Sequence, residues 1–223
     1  MTTLIRQGWW LLAALISLQV DSAELTRAEI EFIGNAYKYE FQVNIDAPLE
    51  ATRRVVTDYD NIKQINDGVI DSSVLEVYDE NWLKRRLWLE HCILVFCFDL
   101  LFIENVRQNG PNEIVTTVIP EESNFKRGEA MWRLTALSDN RTQISVIAEQ
   151  EPDFWIPPLV GKALMRRAFK KEIEETTNNI EQAALKVAEE IAKEITGGIT
   201  EQPSGKITPK TVPNAPPASV VAP

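Results

Sequence analysis

KALMRRAFKKEIEETTNNIEQAALKVAEEIAKEI, Lys162 to Ile195, is the stretch on which the fold turns. Apolar or small residues recur at Met165, Phe169, Ile173, Thr176, Ile180, Ala184, Val187 and Ile191, in steps of three and four. That spacing gathers one stripe on one side of a helix and leaves the charges on the other. Neither Gly nor Pro interrupts it. A helix over 160–195 is predicted, about 54 Å long at 1.5 Å per residue. A compact domain of roughly 170 residues is only about 40 Å across. The last turns, LKVAEEIAKEI, should therefore overhang the body.

Working back from the helix, strand signals dominate. Tyr37, Tyr39, Phe41, Val43 and Ile45 alternate with Lys38, Glu40, Gln42 and Asn44, the mark of a strand with one buried face. Asp46-Ala47-Pro48 stops it and opens a short helix with Leu49, Thr52, Val55 and Val56 on its inner side. Tyr59 to Gly68 reads as a loop with one helical turn around Ile62 and Ile65. Strands follow at Val69–Tyr78, Glu113–Ile119, Gly128–Leu137 and Thr142–Gln150, with a strong turn at Asn109-Gly110-Pro111-Asn112. Trp82–Arg107 is too long for one ordinary strand and must bend or turn inside. The expected fold class is α+β: a curved antiparallel sheet of six to seven strands, two small helices and one long C-terminal helix.

The ends read differently from this body. Residues 1–23 carry Arg6, a mostly apolar run from Trp9 to Val20 and then small residues, the layout of a secretory signal peptide. The run is shorter than the roughly 20 residues a membrane-spanning helix needs. Residues 196–223 are rich in Pro and lack apolar periodicity, which predicts a disordered tail. One folded domain over 24–195 remains, exported and periplasmic.

Composition narrows the function. With 223 residues, 44% hydrophobic and 25% charged, the chain is of ordinary globular type. Lys plus Arg number 23 against 33 Asp plus Glu, a net charge of -10, so the basic stripe that nucleic acid requires is not expected. One His and two Cys leave little material for a metal site, and no cofactor is expected.

IDAPLEATRRVVTDYDNIKQINDGVIDSSVLE (Ile45–Glu76), FKRGEAMWRL (Phe125–Leu134) and EPDFWIPPLVGKALMRRAFKKE (Glu151–Glu172) carry a resemblance. Together they resemble the START-like, polyketide cyclase–dehydrase superfamily (SRPBCC), and within it the coenzyme Q-binding group. The resemblance spans roughly residues 36 to 185. Thr52 and Arg53 depart from it, standing where the first helix usually carries apolar or aromatic residues. It implies a helix-grip fold with an apolar cavity between sheet and helix, holding a hydrophobic small molecule such as a lipid, a quinone or a polyketide-like compound. The alternatives are a cyclase or dehydratase acting on an apolar carbonyl compound, and an interaction module whose core is filled by its own side chains.

Candidate ligand-binding residues are the large side chains expected to face inward: Trp88, Phe102, Met131, Trp132, Trp155, Met165 and Phe169, with Tyr37 and Tyr39 as polar handles. His91 is the sole histidine and the natural general base, but no orienting partner is visible in the sequence. No catalytic set is assigned. Cys92 and Cys97 would lie about 16 Å apart in one straight strand, beyond disulfide reach. If Trp82–Arg107 folds back near Ile93–Phe96 they become cross-strand neighbours, so a disulfide and two buried thiols both stand open. Lys162, Arg166, Arg167, Lys170 and Lys171 cluster at the start of the helix. Their two readings are a solvated face and a transient contact with a membrane surface.

Overall fold

The computed structural model describes residues 23–93, 95–154 and 162–198. The element order is β1 (Glu24–Ile33), β2 (Ala36–Ile45), α1 (Leu49–Val56), β3 (Val69–Asp79), β4 (Trp82–Ile93), β5 (Phe96–Gln108), β6 (Glu113–Val118), β7 (Phe125–Ser138), β8 (Arg141–Pro152) and α2 (Lys162–Gly198). Single 3-10 turns sit at Ile62–Gln64 and Pro120–Glu122. All pairings are antiparallel, in one sheet ordered β1-β2-β8-β7-β6-β5-β4-β3. Residues 1–22 of the signal-like segment and 199–223 of the Pro-rich tail lie outside the described residues, whereas residues 196–198, expected to begin the tail, continue α2 instead because helical periodicity carries on past Ile195.

Eight strands replace the expected six or seven. The long Trp82–Arg107 run does fold back, making β4 and β5 a hairpin that pairs Trp82 with Arg107 at one end and Ile93 with Phe96 at the other. β1 is the strand the sequence hides. It is an edge strand, paired only to β2, and most of its ten residues are exposed, so it carries no clean alternation. Only Leu25, Ile30 and Phe32 are drawn partly inward. The β5–β6 turn is made by Gly110 at φ 78, a left-handed conformation that suits a residue without a Cβ.

Helix α2 lies across the sheet on the predicted stripe, burying Met165, Ile173, Ile180 and Ala184, with Thr177 rather than Thr176 fully buried between them. At 37 residues it is about 55 Å long. Residues 192–196 are exposed on every side, as a helix longer than its support requires. Helix α1 packs against α2 through Ala51 and Thr52, both fully buried. The Thr52 hydroxyl donates to the Pro48 carbonyl at 3.0 Å, which makes a polar residue tolerable there. Arg53 faces outward, paired with Glu50. The two departures from the family pattern thus resolve in opposite ways, one buried with its hydrogen bond made and one on the surface.

The core is concentrated at one half of the sheet–helix interface. There Phe41, Val43, Ile45, Val106, Ile114, Leu134, Ile144 and Val146 meet α1 and the Ile173–Ala184 part of α2. The Glu181 carboxylate reaches across this half to accept the Asp46 N–H at 2.8 Å. Beneath the first turns of α2 the packing is not closed.

Candidate functional site

The open half of the interface is a cavity of about 270 Å³. Its walls follow from strand periodicity, since alternate residues of each strand face α2. β4 contributes Arg85, Leu87, Leu89 and His91, and β5 contributes Phe98, Leu100, Phe102 and Glu104. These are cross-strand partners: Arg85 with Glu104, Leu87 with Phe102, Leu89 with Leu100, His91 with Phe98. Tyr37 and Tyr39 of β2, Ala130 and Trp132 of β7, and Thr116 of β6 continue the wall. Gln150 and Pro152 of β8 with Phe154 extend it, and Met165, Phe169 and Glu172 of α2 form the roof.

The lining is graded. Glu104, Phe102, Thr116 and Ala130 are buried at the closed end, whereas His91, Phe98, Phe154 and Glu172 are partly exposed and mark the mouth. At the closed end the Arg85 Nε donates to Glu104 at 2.7 Å, and the Arg85 guanidinium lies over the Tyr59 ring at 5.0 Å. Pairing is what allows two charges this far from water. Tyr37 donates its hydroxyl to the Gln150 side chain at 2.6 Å. Removal from water, with Tyr39 as a neighbour, pushes the Tyr37 phenol above its ordinary pKa; removal from water and then the Glu104 carboxylate do the same to Tyr39. Both phenols therefore stay protonated and act as neutral hydrogen-bonding groups.

Near the mouth, the Asn66 amide donates to Glu172 at 2.7 Å and to the Thr176 hydroxyl at 3.2 Å. The Glu172 carboxylate also lies 3.6 Å from the His91 Nδ1. The carboxylate partner that sequence could not supply for His91 thus comes from α2, over 80 residues away in the chain. At 3.6 Å it is beyond hydrogen-bond length, so it does not orient the imidazole as a catalytic base requires.

Of the candidate ligand-binding residues, Tyr37, Tyr39, Phe102, Trp132, Met165 and Phe169 line the cavity. Trp88 and Met131 do not, and the expectation for both is corrected. Each lies one position from a lining residue, Leu87 and Trp132, so the pleat turns it to the opposite face of the sheet. Trp88 is 39% exposed there, and Met131 lies near the Arg133 guanidinium. Trp155 lies outside the described residues. Arg85, Glu104, Leu87, Leu89, Leu100 and Ala130 were missed. Selection by side-chain size favours Trp88, whereas the parity of Leu83, Leu87 and Leu89 on the same strand would have found the inner face. Phe96 packs against Met165, as Phe32 also does, and is not among the lining residues of the hollow.

Cys92 and Cys97 form a disulfide across the β4–β5 hairpin, so of the two open readings the bonded one holds. Among the described residues there is no cluster of side chains suited to a metal ion, and no helix long and apolar enough to cross a membrane.

A curved antiparallel sheet gripped by one long helix, with a largely apolar hollow between them, defines the helix-grip class of domain. The chain belongs to the polyketide cyclase / dehydrase and lipid transport family, which matches residues 45–177. That family consists of hydrophobic-ligand-binding domains, and the START-like resemblance read from the sequence is confirmed. No curated protein matches the sequence. Among solved structures, a START superfamily protein from Mycobacterium smegmatis is similar at 18% identity and a TM-score of 0.54, covering 67% of this chain and 98% of that one. Human STARD10 is similar at 13% identity and a TM-score of 0.53, covering 76% and 78%. The human StarD13 (DLC2) lipid transfer and protein localization domain follows at 12% and 0.51, covering 74% and 85%. At these identities the likeness is one of fold.

Proposed function

We propose that the protein carries a compact hydrophobic molecule bearing one polar group, without transforming it. The observation that carries this reading is the graded cavity: leucine and phenylalanine walls leading to a buried Arg85–Glu104 pair. Moving an apolar ligand from water into such walls is favourable by about 25 cal/mol per Å² buried. Arg85 has more N–H donors than Glu104 can absorb, so a ligand hydroxyl or carbonyl finds a partner at the closed end. Size supports a small cargo. A volume of about 270 Å³ lies at the lower edge of the ~300–1,000 Å³ range of small-molecule pockets. That suits a quinone ring, a polyketide-sized ring system or part of one acyl chain, with any longer tail leaving through the mouth, and disfavours a two-chain lipid held whole.

The test is organic extraction and mass spectrometry of the purified protein, alongside the melting temperature with added quinones and fatty acids. A co-purifying apolar molecule, and a melting shift abolished by Ala130→Trp, are expected. No bound molecule and no shift with any of these would end the reading. The place of His91 in the cavity lining favours one rival, acid–base chemistry on an apolar carbonyl compound. Turnover of such a compound that disappears in His91→Ala would make the rival correct.

Periplasmic residence is part of the same proposal. It is supported by the Trp9–Val20 run and by a disulfide, a bond that persists in oxidising compartments. Export from a bacterial host should leave a new N-terminus at about Ala23 or Glu24 by terminal sequencing; cytoplasmic retention of the intact chain would refute it.

A further inference from the structure

The sheet has two edges, and they are finished differently. β1 is guarded by charge and by α2. Arg27 pairs with Glu29 and Glu40, the Arg166 guanidinium donates to the Ile30 carbonyl at 3.3 Å, and the Ala23 N–H donates to the Asn178 side chain at 3.0 Å. β3, the opposite edge, is paired only to β4. Its first half is covered, since the Ile62–Gln64 turn packs on it and the Asp60 carboxylate accepts the Val74 N–H at 2.8 Å. Past Val74 every residue to Asp79 is exposed. Three of those five are large and apolar: Leu75 is 45%, Val77 66% and Tyr78 41% exposed. An open edge that carries apolar side chains is a template for another strand.

The surroundings of this edge are acidic. Glu76, Asp79 and Glu80 have no ion-pair partner among the described residues. Of the nearby bases, Lys84 is held by Glu122 at 2.7 Å and Arg107 is stacked over the Trp82 ring at 4.1 Å. The last turns of α2 add Glu189, Glu190 and Glu194 against Lys186 and Lys193. Residues 202–223 are the reverse. In a chain of net charge -10 they hold Lys206 and Lys210 and neither Asp nor Glu. Within them ITPKTVPN, residues 207–214, has four β-branched side chains, which favour extended backbone. Between 199 and 215 proline occurs only at Pro203, Pro209 and Pro213, all odd positions. Alternate residues of a strand turn their N–H groups to opposite sides, so every missing donor falls on one side. Thr208, Lys210, Val212 and Asn214 keep theirs on the other, the form in which an edge strand tolerates proline.

The two are within reach of each other. Val74 and Leu83 of the β3–β4 pair, and Val187, Ala188 and Ile191 of α2, pack against the same buried cluster. From Ile191, α2 runs about 10 Å further to Gly198. Residues 199–206 span up to about 26 Å when extended, enough to return to β3. We infer that residues 207–214 add to the exposed half of β3 as a ninth strand, with Lys206 and Lys210 against its unpaired acids. The strand caps the open edge from within the chain and denies it to a second molecule. A segment that cannot build a core of its own is ordered here by a template already in place. The inference stands on edge, charge and proline position, so it holds whatever occupies the cavity.

The experiment is residue-resolved amide hydrogen exchange by NMR on the purified protein, in dilute and in concentrated samples. Thr208, Lys210, Val212 and Asn214 should exchange at least about tenfold more slowly than in a free peptide of residues 199–223, and Thr211 at the peptide's rate. Leu75→Lys with Val77→Lys should abolish that protection at unchanged melting temperature, since both positions are exposed. Val212→Pro should abolish it too, whereas Thr211→Pro, on the side that lacks donors, should keep it. Exchange at the free-peptide rate throughout overturns the proposal. So does protection that survives the two lysines or ignores the alternation. Protection confined to the concentrated sample also overturns it, because the edge would then be taking the tail of a second copy.

Discussion

Arg85 and Glu104 face each other across β4 and β5 with side chains almost wholly shielded from water. Either charge alone at this depth lacks compensation. Glu104→Ala should cost about 3–5 kcal/mol in urea denaturation, while Arg85→Met with Glu104→Leu should recover most of that loss. A single variant as stable as wild type would mean that water reaches the pair. Gly128 is a second residue with little latitude. A Cβ there would sit 2.6 Å from Val118 Cγ2, so Gly128→Ala should destabilise by about 1–3 kcal/mol and Val118→Ala should relieve it in the double variant. Titration gives a third expectation. The cavity holds the Tyr37 and Tyr39 phenols above their ordinary value, so the folded protein keeps protons that the unfolded chain releases near pH 10. Stability from these groups is complete below about pH 10 and falls as the pH rises beyond it. Tyr37→Phe with Tyr39→Phe should flatten that alkaline loss, measured as the urea midpoint against pH; an unchanged profile would place the alkaline sensitivity elsewhere.

Elements differ in how much they depend on the rest. α2 is supported along a stripe and free at its end. Ile180, on the stripe and almost fully buried, should cost about 2–4 kcal/mol when truncated to Ala, whereas Leu185, 45% exposed, should cost no more than about 0.5 kcal/mol. Equal losses would show the stripe to be misplaced. The β4–β5 disulfide closes a short ring, so Cys92→Ser with Cys97→Ser should lower stability by about 2 kcal/mol or less and leave the sheet intact. The helix was legible because its period repeats over many turns without a breaker, and β2 because its alternation is complete. The hairpin was legible only as a necessity of length: nothing in the composition of Ile93-Leu94-Val95-Phe96 signals a turn. β1 was not legible, since an edge strand half in solvent needs no alternating pattern.

At the scale of the whole molecule, the hollow exists because α2 is packed closely along one half of the sheet and held off the other by Phe169, Met165 and the aromatic wall. A ligand that occupies it stabilises the folded state by mass action, about 2.7 kcal/mol at a hundredfold excess over its dissociation constant. The sequence by itself determined the α+β class, the grip helix and its stripe, the inward face of β2 and the family, because periodicity and local motifs are properties of neighbours along the chain. Only the tertiary structure decided which parity of β7 looks inward, and so excluded Met131, whereas on β4 the spacing of Leu83, Leu87 and Leu89 already argues against Trp88. The tertiary structure also brought Arg85 to Glu104 and His91 to Glu172, and left a void where bulky side chains could have filled one. Those outcomes depend on register between strands and on the height of a helix above a sheet, and neither quantity is written in the spacing of residues along one segment.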